Sequence, residues 1–314
     1  MNILVTGGAG FIGSKLTQDL LDDAANNVVV VDNFTLGHRE LMNELSANER
    51  FKYYDLDASN IDELSKIIKD HEIEFVYHLA ANSDIQKGGQ EPSIDFHDTF
   101  LTTYAVLEAM QRNNVKKLFF ASTSAVYGEI TDRPLREDLG GLQPISYYGG
   151  AKYASESFIS SFTHMNGLST LVFRFPNVIG PNLTHGAIFD FMKKLQANPK
   201  ELEVLGDGTQ SKPYIYVDDL VDAIIHFSSN IQEGMEVYNV GVEDAITVTE
   251  IATAVINGLG LEGVTLKYTG GDRGWKGDVP KVRFDLSKIK AAGYELKSNS
   301  HEAVRKTVEK AAGK

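Results

Sequence analysis

The glycine-rich segment near the start of the chain constrains the fold most. Gly7, Gly10 and Gly13 follow a short apolar stretch and precede a segment with helical periodicity. In such a strand-turn-helix unit, glycine gives the turn its backbone freedom and lets a pyrophosphate approach the backbone closely. Asp32 ends the next predicted strand, where a carboxylate binds both ribose hydroxyls and repels a 2′-phosphate. The segment therefore predicts a dinucleotide-binding fold that takes NAD rather than NADP.

Strands and helices alternate through the first half of the chain. Apolar, β-rich runs predict strands at 2–6, 28–32, 51–55, 75–78, 117–121 and 170–175. Amphipathic spacing predicts helices at 11–21, 61–69, 94–110 and 148–164. This alternation predicts an α/β fold with a doubly wound parallel (Rossmann) sheet.

The pattern changes after residue 175, where Gly- and Pro-rich loops separate shorter elements. We predict a Rossmann domain over 1–175 and a smaller C-terminal α/β substrate lobe over 176–314, with a crevice between them. Helices are predicted at 189–196, 217–228, 248–257 and 301–312. A strand at 237–240 is expected to return to the first sheet.

Composition excludes several classes of protein. The net charge of −13, with no basic stretch, argues against a nucleic-acid partner. The absence of cysteine excludes disulfides and thiolate catalysis, and the histidines lack metal-ligand spacing. No apolar run reaches the roughly 20 residues that span a bilayer, and the chain begins almost directly in a strand. We therefore expect a cytoplasmic protein with no membrane partner and no metal.

A tyrosine and a lysine four residues apart indicate proton-transfer chemistry. Tyr148 and Lys152 project from one face of a predicted helix. A nearby ammonium favours the phenolate and lowers the pKa of a phenol from about 10. The alternative is a solvated helix start, because this spacing also occurs by chance. The hydroxyl-rich segment Ser122-Thr-Ser-Ala-Val-Tyr-Gly128 shortly before it favours an enzyme.

Taken together, these motifs resemble the extended short-chain dehydrogenase/reductase family, and specifically its nucleotide-sugar epimerases. The resemblance covers essentially the whole chain. It rests on segments 6–13, 32–33, 78–81, 122–128, 148–152, 174–181 and 206–218.

The resemblance implies a role for each matched residue. The catalytic set is Tyr148 as base, Lys152, Thr123 and Ser124. The NAD-binding set is Gly7, Gly10, Phe11, Ile12, Gly13, Asp32, Asn33, Asp55, Leu56, Leu79, Ala80, Ala81, Ser122, Tyr148, Lys152 and Phe175. The set that binds the UDP-sugar is Thr123, Asn177, Lys212, Tyr214, Arg273, Asp278 and Val282. Asp55 is interpreted as an acceptor for the adenine amino group or, equally well, as a turn residue.

The implied reaction is 4-epimerisation of UDP-glucose and UDP-galactose through a transient 4-keto sugar. Related dehydratases carry Asp and Glu where this chain has Ser124 and Ala125, which disfavours water elimination. A nucleotide-4-keto-sugar reductase is the nearest alternative. A non-catalytic, NAD-sensing protein is disfavoured because Tyr148 and Lys152 are both present.

Two further expectations follow from the resemblance. Val282 stands at a position that limits the sugar pocket, and its small size implies that UDP-GlcNAc and UDP-GalNAc are also accepted. The long helices at 94–110 and 148–164 imply a homodimer. Their aromatic side chains would supply the contacts, unless these rings face the chain's own sheet: Phe96, Phe100, Tyr104, Phe158 and Phe162.

Overall fold

The computed structural model describes residues 1–183, 185–271, 273, 277 and 279–313. The strands are β1 (Asn2–Thr6), β2 (Asn27–Asp32), β3 (Phe51–Asp55), β4 (Phe75–His78), β5 (Lys117–Thr123), β6 (Ser169–Phe175), β7 (Asn177–Ile179), β8 (Glu201–Val204), β9 (Ser211–Lys212), β10 (Tyr214–Tyr216), β11 (Gly234–Asn239), β12 (Ile246–Thr247) and β13 (Thr265–Tyr268).

The α-helices are α1 (Phe11–Asp22), α2 (Arg39–Leu45), α3 (Ile61–Asp70), α4 (Ile85–Gln90), α5 (Pro92–Asp95), α6 (Thr102–Arg112), α7 (Tyr147–Asn166), α8 (Ala187–Ala197), α9 (Val217–Ser228), α10 (Val248–Gly258), α11 (Ser287–Ala291) and α12 (Ser300–Ala311). A π-helix spans Phe96–Leu101, and a 3₁₀ turn spans Ser124–Tyr127.

A seven-stranded sheet has the strand order β11-β6-β5-β4-β1-β2-β3. The pairs that join β5, β4, β1, β2 and β3 are all parallel. The predicted doubly wound sheet is thus confirmed, as is the return of a strand near residue 237. The chain leaves β1 in one direction through β2 and β3, and in the other through β4 and β5. The strand order therefore reverses between β1 and β4, which is where such sheets bind ligands at their carboxyl ends.

Burial on both faces explains the apolar strands. The four valines at 28–31 of β2 are each at most 4 % exposed, as expected for a parallel strand covered by helices on both sides. Helices α3 and α6 contribute buried residues such as Leu64 and Val106 to the same core. This core holds the carboxyl ends of the strands in place.

The helix predicted over 94–110 is interrupted, which corrects that prediction. The structure has α5, then the π-helix, then α6. Two threonine hydroxyls bond to backbone carbonyls here: Thr103 Oγ1 donates to Thr99 O at 2.7 Å, and Thr102 Oγ1 donates to His97 O at 3.1 Å. Hydroxyls that bond to carbonyls one turn back compete with regular α-helical bonding.

The chain divides into two compact units whose segments alternate along the sequence. The first comprises Met1–Val126, Pro144–Arg174 and Val221–Tyr238, and the second comprises Tyr127–Gln143, Phe175–Leu220 and the chain from Asn239 onward. The domain boundary after residue 175 stays a prediction. None of the helices within the described residues is both long and apolar enough to cross a membrane.

Within its described residues, the second unit has three two-stranded sheets, which pair β10 with β7, β12 with β9, and β13 with β8. Its core includes Ile179 from β7, Leu202 from β8 and residues of three helices, such as Phe191, Ile251 and Val304. The helices predicted at 189–196, 217–228, 248–257 and 301–312 are confirmed to within two residues at each end.

Candidate active site

The turn after β1 leaves no room for a side chain at Gly7 or Gly13. A Cβ on Gly7 would lie 2.6 Å from the backbone nitrogen of Ala80, and one on Gly13 would lie 2.1 Å from the carbonyl oxygen of Gly7. Gly7 also has φ of +72°, a conformation that favours glycine. The close approach of Ala80 joins this turn to the end of β4, where Leu79 N donates to Thr6 O at 3.0 Å.

Helix α1 begins at Phe11, directly after the turn. Among the described residues, no side chain caps its N-terminus. Its first N–H groups and the positive end of its dipole suit a pyrophosphate. The tight turn and the uncapped helix together fit NAD, and Gly10, Phe11 and Ile12 are the residues that could hold its phosphates.

Asp32 is fixed at the end of β2. Its side chain accepts from Ala9 N at 2.9 Å and from Phe34 N at 2.8 Å. Burial raises the pKa of this carboxyl, and the two backbone hydrogen bonds oppose that effect. Each carboxylate oxygen retains further acceptor capacity for a ribose hydroxyl.

Asp55 carries a partner that the sequence analysis did not select. Arg39 Nη2 lies 2.5 Å from Asp55 Oδ2, and the guanidinium carbon lies 3.9 Å from the centre of the Phe34 ring. The adenine contact predicted for Asp55 stays a prediction. The Arg39 guanidinium already binds one of the two oxygens of this carboxylate. Leu56 N donates to Asp32 O at 3.0 Å, which joins the ends of β3 and β2.

The other predicted cofactor residues lie at the same strand ends or close to them. Asn33 is exposed and accepts from Thr35 N at 3.0 Å. Ala81 follows β4 and is partly buried, Ser122 is buried in β5, and Phe175 ends β6. Apart from Phe175, these residues belong to the first unit.

A second glycine positions the predicted catalytic helix. Strand β5 ends at Thr123, and the 3₁₀ turn that begins at Ser124 follows it. A Cβ on Gly149 would lie 2.6 Å from the carbonyl oxygen of Ala125. The first turn of α7 therefore packs directly on this turn, and Ser146 caps the helix by accepting from Gly149 N at 3.1 Å. This packing brings Tyr148 to Thr123.

Burial raises the pKa of the Tyr148 phenol to about 12. A hydrogen bond with the Thr123 side chain acts in the opposite direction, and the charge of Asp95 raises the pKa further. The sequence predicts that Lys152 lowers the phenol pKa. This prediction is wrong for the protein chain alone, because burial and the charge of Asp95 outweigh the hydrogen bond with Thr123.

Lys152 is buried within the same site and is only 2 % exposed. Its Nζ donates to Ala121 O at 2.7 Å and lies 4.6 Å from the centre of the Phe120 ring. Burial lowers the pKa of the ammonium to about 7, and the carboxylates of Glu156 and Asp95 oppose that shift.

Glu156 belongs to a buried network that the sequence analysis did not select. Arg174 Nη2 donates to Glu156 Oε2 at 2.6 Å, and both side chains are at most 6 % exposed. Ser122 Oγ donates to the other oxygen of the same carboxylate. Glu156 lies one helical turn beyond Lys152, and this spacing in the sequence indicates that the two side chains are neighbours on α7.

The second unit joins the segments that carry the predicted substrate-binding residues. Strands β7 and β10 pair Asn177 with Tyr214. Lys212 lies in β9, and its neighbour Ser211 forms a parallel bridge with Lys281, which sets Val282 next to this strand. Asn177 is exposed, Tyr214 is buried, and Lys212 and Val282 are partly buried.

Arg273 forms an ion pair with Glu129. A backbone hydrogen bond from Gly270 N to Gly206 O, 2.9 Å long, ties the Arg273 loop to the segment that leads to Lys212. Asp278, also predicted to bind substrate, lies outside the described residues. Within the described residues, no group of three or more His, Cys, Asp or Glu side chains could hold a metal ion.

Comparisons with known proteins agree with this arrangement. The sequence model of the NAD dependent epimerase/dehydratase family matches residues 3–241. The UDP-glucuronate 4-epimerase of Thermodesulfobacterium geofontis is 32 % identical, with 97 % of this chain and 94 % of that protein covered.

Two solved structures are similar over nearly their whole length. A UDP-galactose 4-epimerase has a TM-score of 0.86 and 34 % identity, covering 100 % of this chain and 99 % of the other. A UDP-N-acetylglucosamine 4-epimerase from Methanobrevibacter ruminantium has a TM-score of 0.85 and 30 % identity, covering 98 % and 97 %. The glycine turn, the Asp32 carboxylate and the family match lead to one conclusion: this chain belongs to the NAD-dependent epimerase/dehydratase family, whose cofactor is NAD.

Proposed function

We propose that this protein is a UDP-sugar 4-epimerase that interconverts UDP-glucose and UDP-galactose. The observation that carries the proposal is the pairing of Tyr148 with Thr123 beside the buried Lys152. Elimination of water from the sugar needs additional acid and base side chains. Next to Thr123 the chain offers only Ser124 and Ala125, which suits oxidation followed by reduction.

The chain's own residues would handle the proton at the sugar O4. Tyr148 takes this proton and later returns it, and Thr123 shares it through their hydrogen bond. When bound, NAD supplies the acceptor and donor of the hydride at C4. Because the Tyr148 pKa is raised to about 12, chiefly by burial, the phenolate needs positive charge nearby. Lys152 carries that charge.

Epimerisation requires the keto sugar to turn over while the nucleotide stays bound. We therefore assign strong contacts to the diphosphate and weak contacts to the sugar. Asn177, Lys212 and Arg273 would hold the nucleotide part. A lysine at 212 contributes a point charge rather than a bidentate fork, so Arg273 is the more specific of the two cations.

The small Val282 side chain supports a pocket that also admits UDP-GlcNAc and UDP-GalNAc. Similar proteins act on different sugars, including UDP-glucuronate and UDP-N-acetylglucosamine. Comparable turnover and affinity for UDP-glucose and UDP-GlcNAc would support this wider specificity. Strong exclusion of the N-acetyl sugar would limit the enzyme to plain hexoses.

Incubation of the purified protein with UDP-galactose and catalytic NAD tests the function. We expect NMR spectra to show conversion to a galactose/glucose mixture with no net NADH, and Tyr148→Phe to abolish it. Stoichiometric consumption of reduced cofactor with a 4-keto sugar would instead identify a reductase. NAD binding with no turnover of any UDP-sugar would indicate a non-catalytic, NAD-sensing protein.

We further propose a homodimer formed through the aromatic face of the π-helix, α6 and α7. Phe100 packs edge-on against Phe158, with ring centroids 5.1 Å apart. Phe96 and Phe158 remain 56 % and 42 % exposed. Large exposed rings next to one another favour a protein partner over solvent.

A further inference from the structure

Asp95 is a buried carboxylate in the first unit with no role in the mechanism described so far. It ends α5 and is 1 % exposed. Its Oδ1 accepts from Asn82 Nδ2 at 2.8 Å. Within the part of the chain that the structure describes, its Oδ2 is buried and has no hydrogen-bond partner. An unsatisfied buried carboxylate oxygen is costly, so its retention calls for a physical reason.

The orientation of Asn82 is fixed by its other contacts. Asn82 Oδ1 accepts from Asp84 N at 3.0 Å, so the amide nitrogen must face Asp95. An amide N–H can only donate, and a donor favours the ionised carboxylate. A proton on Asp95 would have to lie on Oδ2, where it would find no acceptor among the described residues.

Gly88 leaves the space that Oδ2 occupies. A Cβ on Gly88 would lie 2.2 Å from Asp95 Oδ2 and 2.8 Å from Asn82 Nδ2. Gly88 lies in α4, and both α4 and α5 contact the helix α7 that carries Tyr148 and Lys152. The backbone of α4 thus encloses the free oxygen of Asp95 beside the helix of the catalytic pair.

The charged groups facing Asp95 come from each neighbouring element. Burial raises the pKa of Asp95, and the hydrogen bond from Asn82 lowers it. Asp98 of the π-helix and Asp84 at the N-terminus of α4 raise it further, and Lys152 of α7 lowers it. Lys87 of α4 is exposed, and His97 of the π-helix is exposed and paired with Asp98. Lys152 is therefore the buried cation among these groups, and Asp95 in turn acts on both Lys152 and Tyr148.

We propose that Asp95 is a positioning residue whose buried negative charge keeps Lys152 in the charged ammonium form that Tyr148 requires. The assignment of a catalytic task to this pair rests on the proposed function. The effect of Asp95 on the charge of Lys152 does not depend on that function, and it can be measured without turnover. A second carboxylate, Glu156, acts on Lys152 from its own helix, so loss of Asp95 removes only part of the compensation.

Asp95→Asn is the decisive variant. It removes the charge, keeps the shape and preserves a carbonyl acceptor for Asn82. Asp98→Asn is the matched control, because it makes the same change three residues later on a partly exposed side chain. Asp95→Ser removes the same charge with less volume and replaces Asp95→Asn if circular dichroism shows that the amide disturbs the fold.

The titration of Lys152 is followed by NMR of ¹³C-lysine-labelled protein, with the signal assigned by its loss in Lys152→Met. We expect Asp95→Asn to lower the titration midpoint by about half a pH unit or more, and Asp98→Asn to leave it in place. An unchanged midpoint in the folded Asp95 variants would overturn the inference. An equal shift in the Asp98 control would do so as well.

The pH profile of kcat supplies the second measurement. Asp95→Asn should move both limbs of the profile to lower pH. The negative charge of Asp95 stabilises the Lys152 ammonium and opposes the Tyr148 phenolate, so both pKa values fall when it is removed. A residue with a merely structural role would lower kcat at every pH without moving the limbs. A shifted Lys152 titration with no epimerisation would refute the proposed function and leave this inference standing. Epimerisation with an unshifted Lys152 titration would support the proposed function and overturn this inference.

Discussion

The ammonium of Lys152 donates a 2.7 Å hydrogen bond to the carbonyl oxygen of Ala121, near the carboxyl end of β5. This contact joins the helix of the catalytic pair to the strand that ends in Thr123. It also takes the lysine out of water and places it over the Phe120 ring. Burial at this position lowers the pKa of the ammonium, and the carboxylates of Glu156 and Asp95 oppose that shift.

Lys152 should make stability depend on pH. Its pKa is about 7 in the folded chain against 10.5 for an ordinary lysine. Between these values the unfolded state binds more protons, so this residue makes stability rise with pH. The free energy of unfolding of Lys152→Met should therefore gain less from a rise in pH than that of the wild type, by about 1–4 kcal/mol between pH 6 and pH 10. Urea unfolding at both pH values measures this. An equal difference at both pH values, like that of the exposed Lys66→Met control, would contradict the burial argument.

Asp32 should decide between NAD and NADP. Asp32→Asn removes the charge that repels a 2′-phosphate, so the ratio of NAD to NADP affinity should fall by about tenfold or more. The amide nitrogen would also face one of two backbone donors, at a cost of about 1–3 kcal/mol in stability. Calorimetric titration with each cofactor gives the ratio. Glu44→Gln, which removes a charge from an exposed residue of α2, serves as control. An unchanged ratio in Asp32→Asn would refute this role.

Glu129 should compete with the substrate diphosphate for Arg273. The two side chains form an ion pair while each is about one-third exposed. Glu129→Gln should remove this competing contact and lower KM for UDP-galactose by up to about fivefold, because an exposed ion pair contributes at most about 1 kcal/mol. Steady-state kinetics test this against Asp132→Asn, a charge change on an exposed neighbour. A higher KM in Glu129→Gln would show that the ion pair positions Arg273 for binding.

The oligomeric state should depend on Phe158. Light scattering of the purified protein should give twice the 34.5 kDa mass of the chain. Phe158→Asp should produce monomers, because it places a charge within the proposed apolar contact. Phe189→Asp is the matched control, as its ring is equally exposed (41 %) but lies on α8 in the second unit. A monomeric wild type, or dissociation of both variants alike, would contradict the proposed interface.

Much of the first unit was predictable because its signals are local. The strands at 2–6, 51–55 and 75–78 were predicted to the residue, since turns and apolar runs bound them clearly. The π-helix was not predictable from periodicity, because it depends on threonine hydroxyls that compete for backbone carbonyls. The Arg39–Asp55 pair was missed because it joins the first residue of α2 to the last residue of β3, which come together only in the folded chain.

The sequence by itself determined the fold class, the cofactor turn and the Tyr148–Lys152 spacing. Each depends on residues close together in the chain, where backbone geometry sets the outcome. The tertiary structure decided the electrostatics. Burial reversed the expected direction of the Tyr148 pKa shift. It also brought Asp95, distant in sequence, close enough to act on Lys152. Solvation and charge depend on three-dimensional neighbours, so no local pattern could have revealed them.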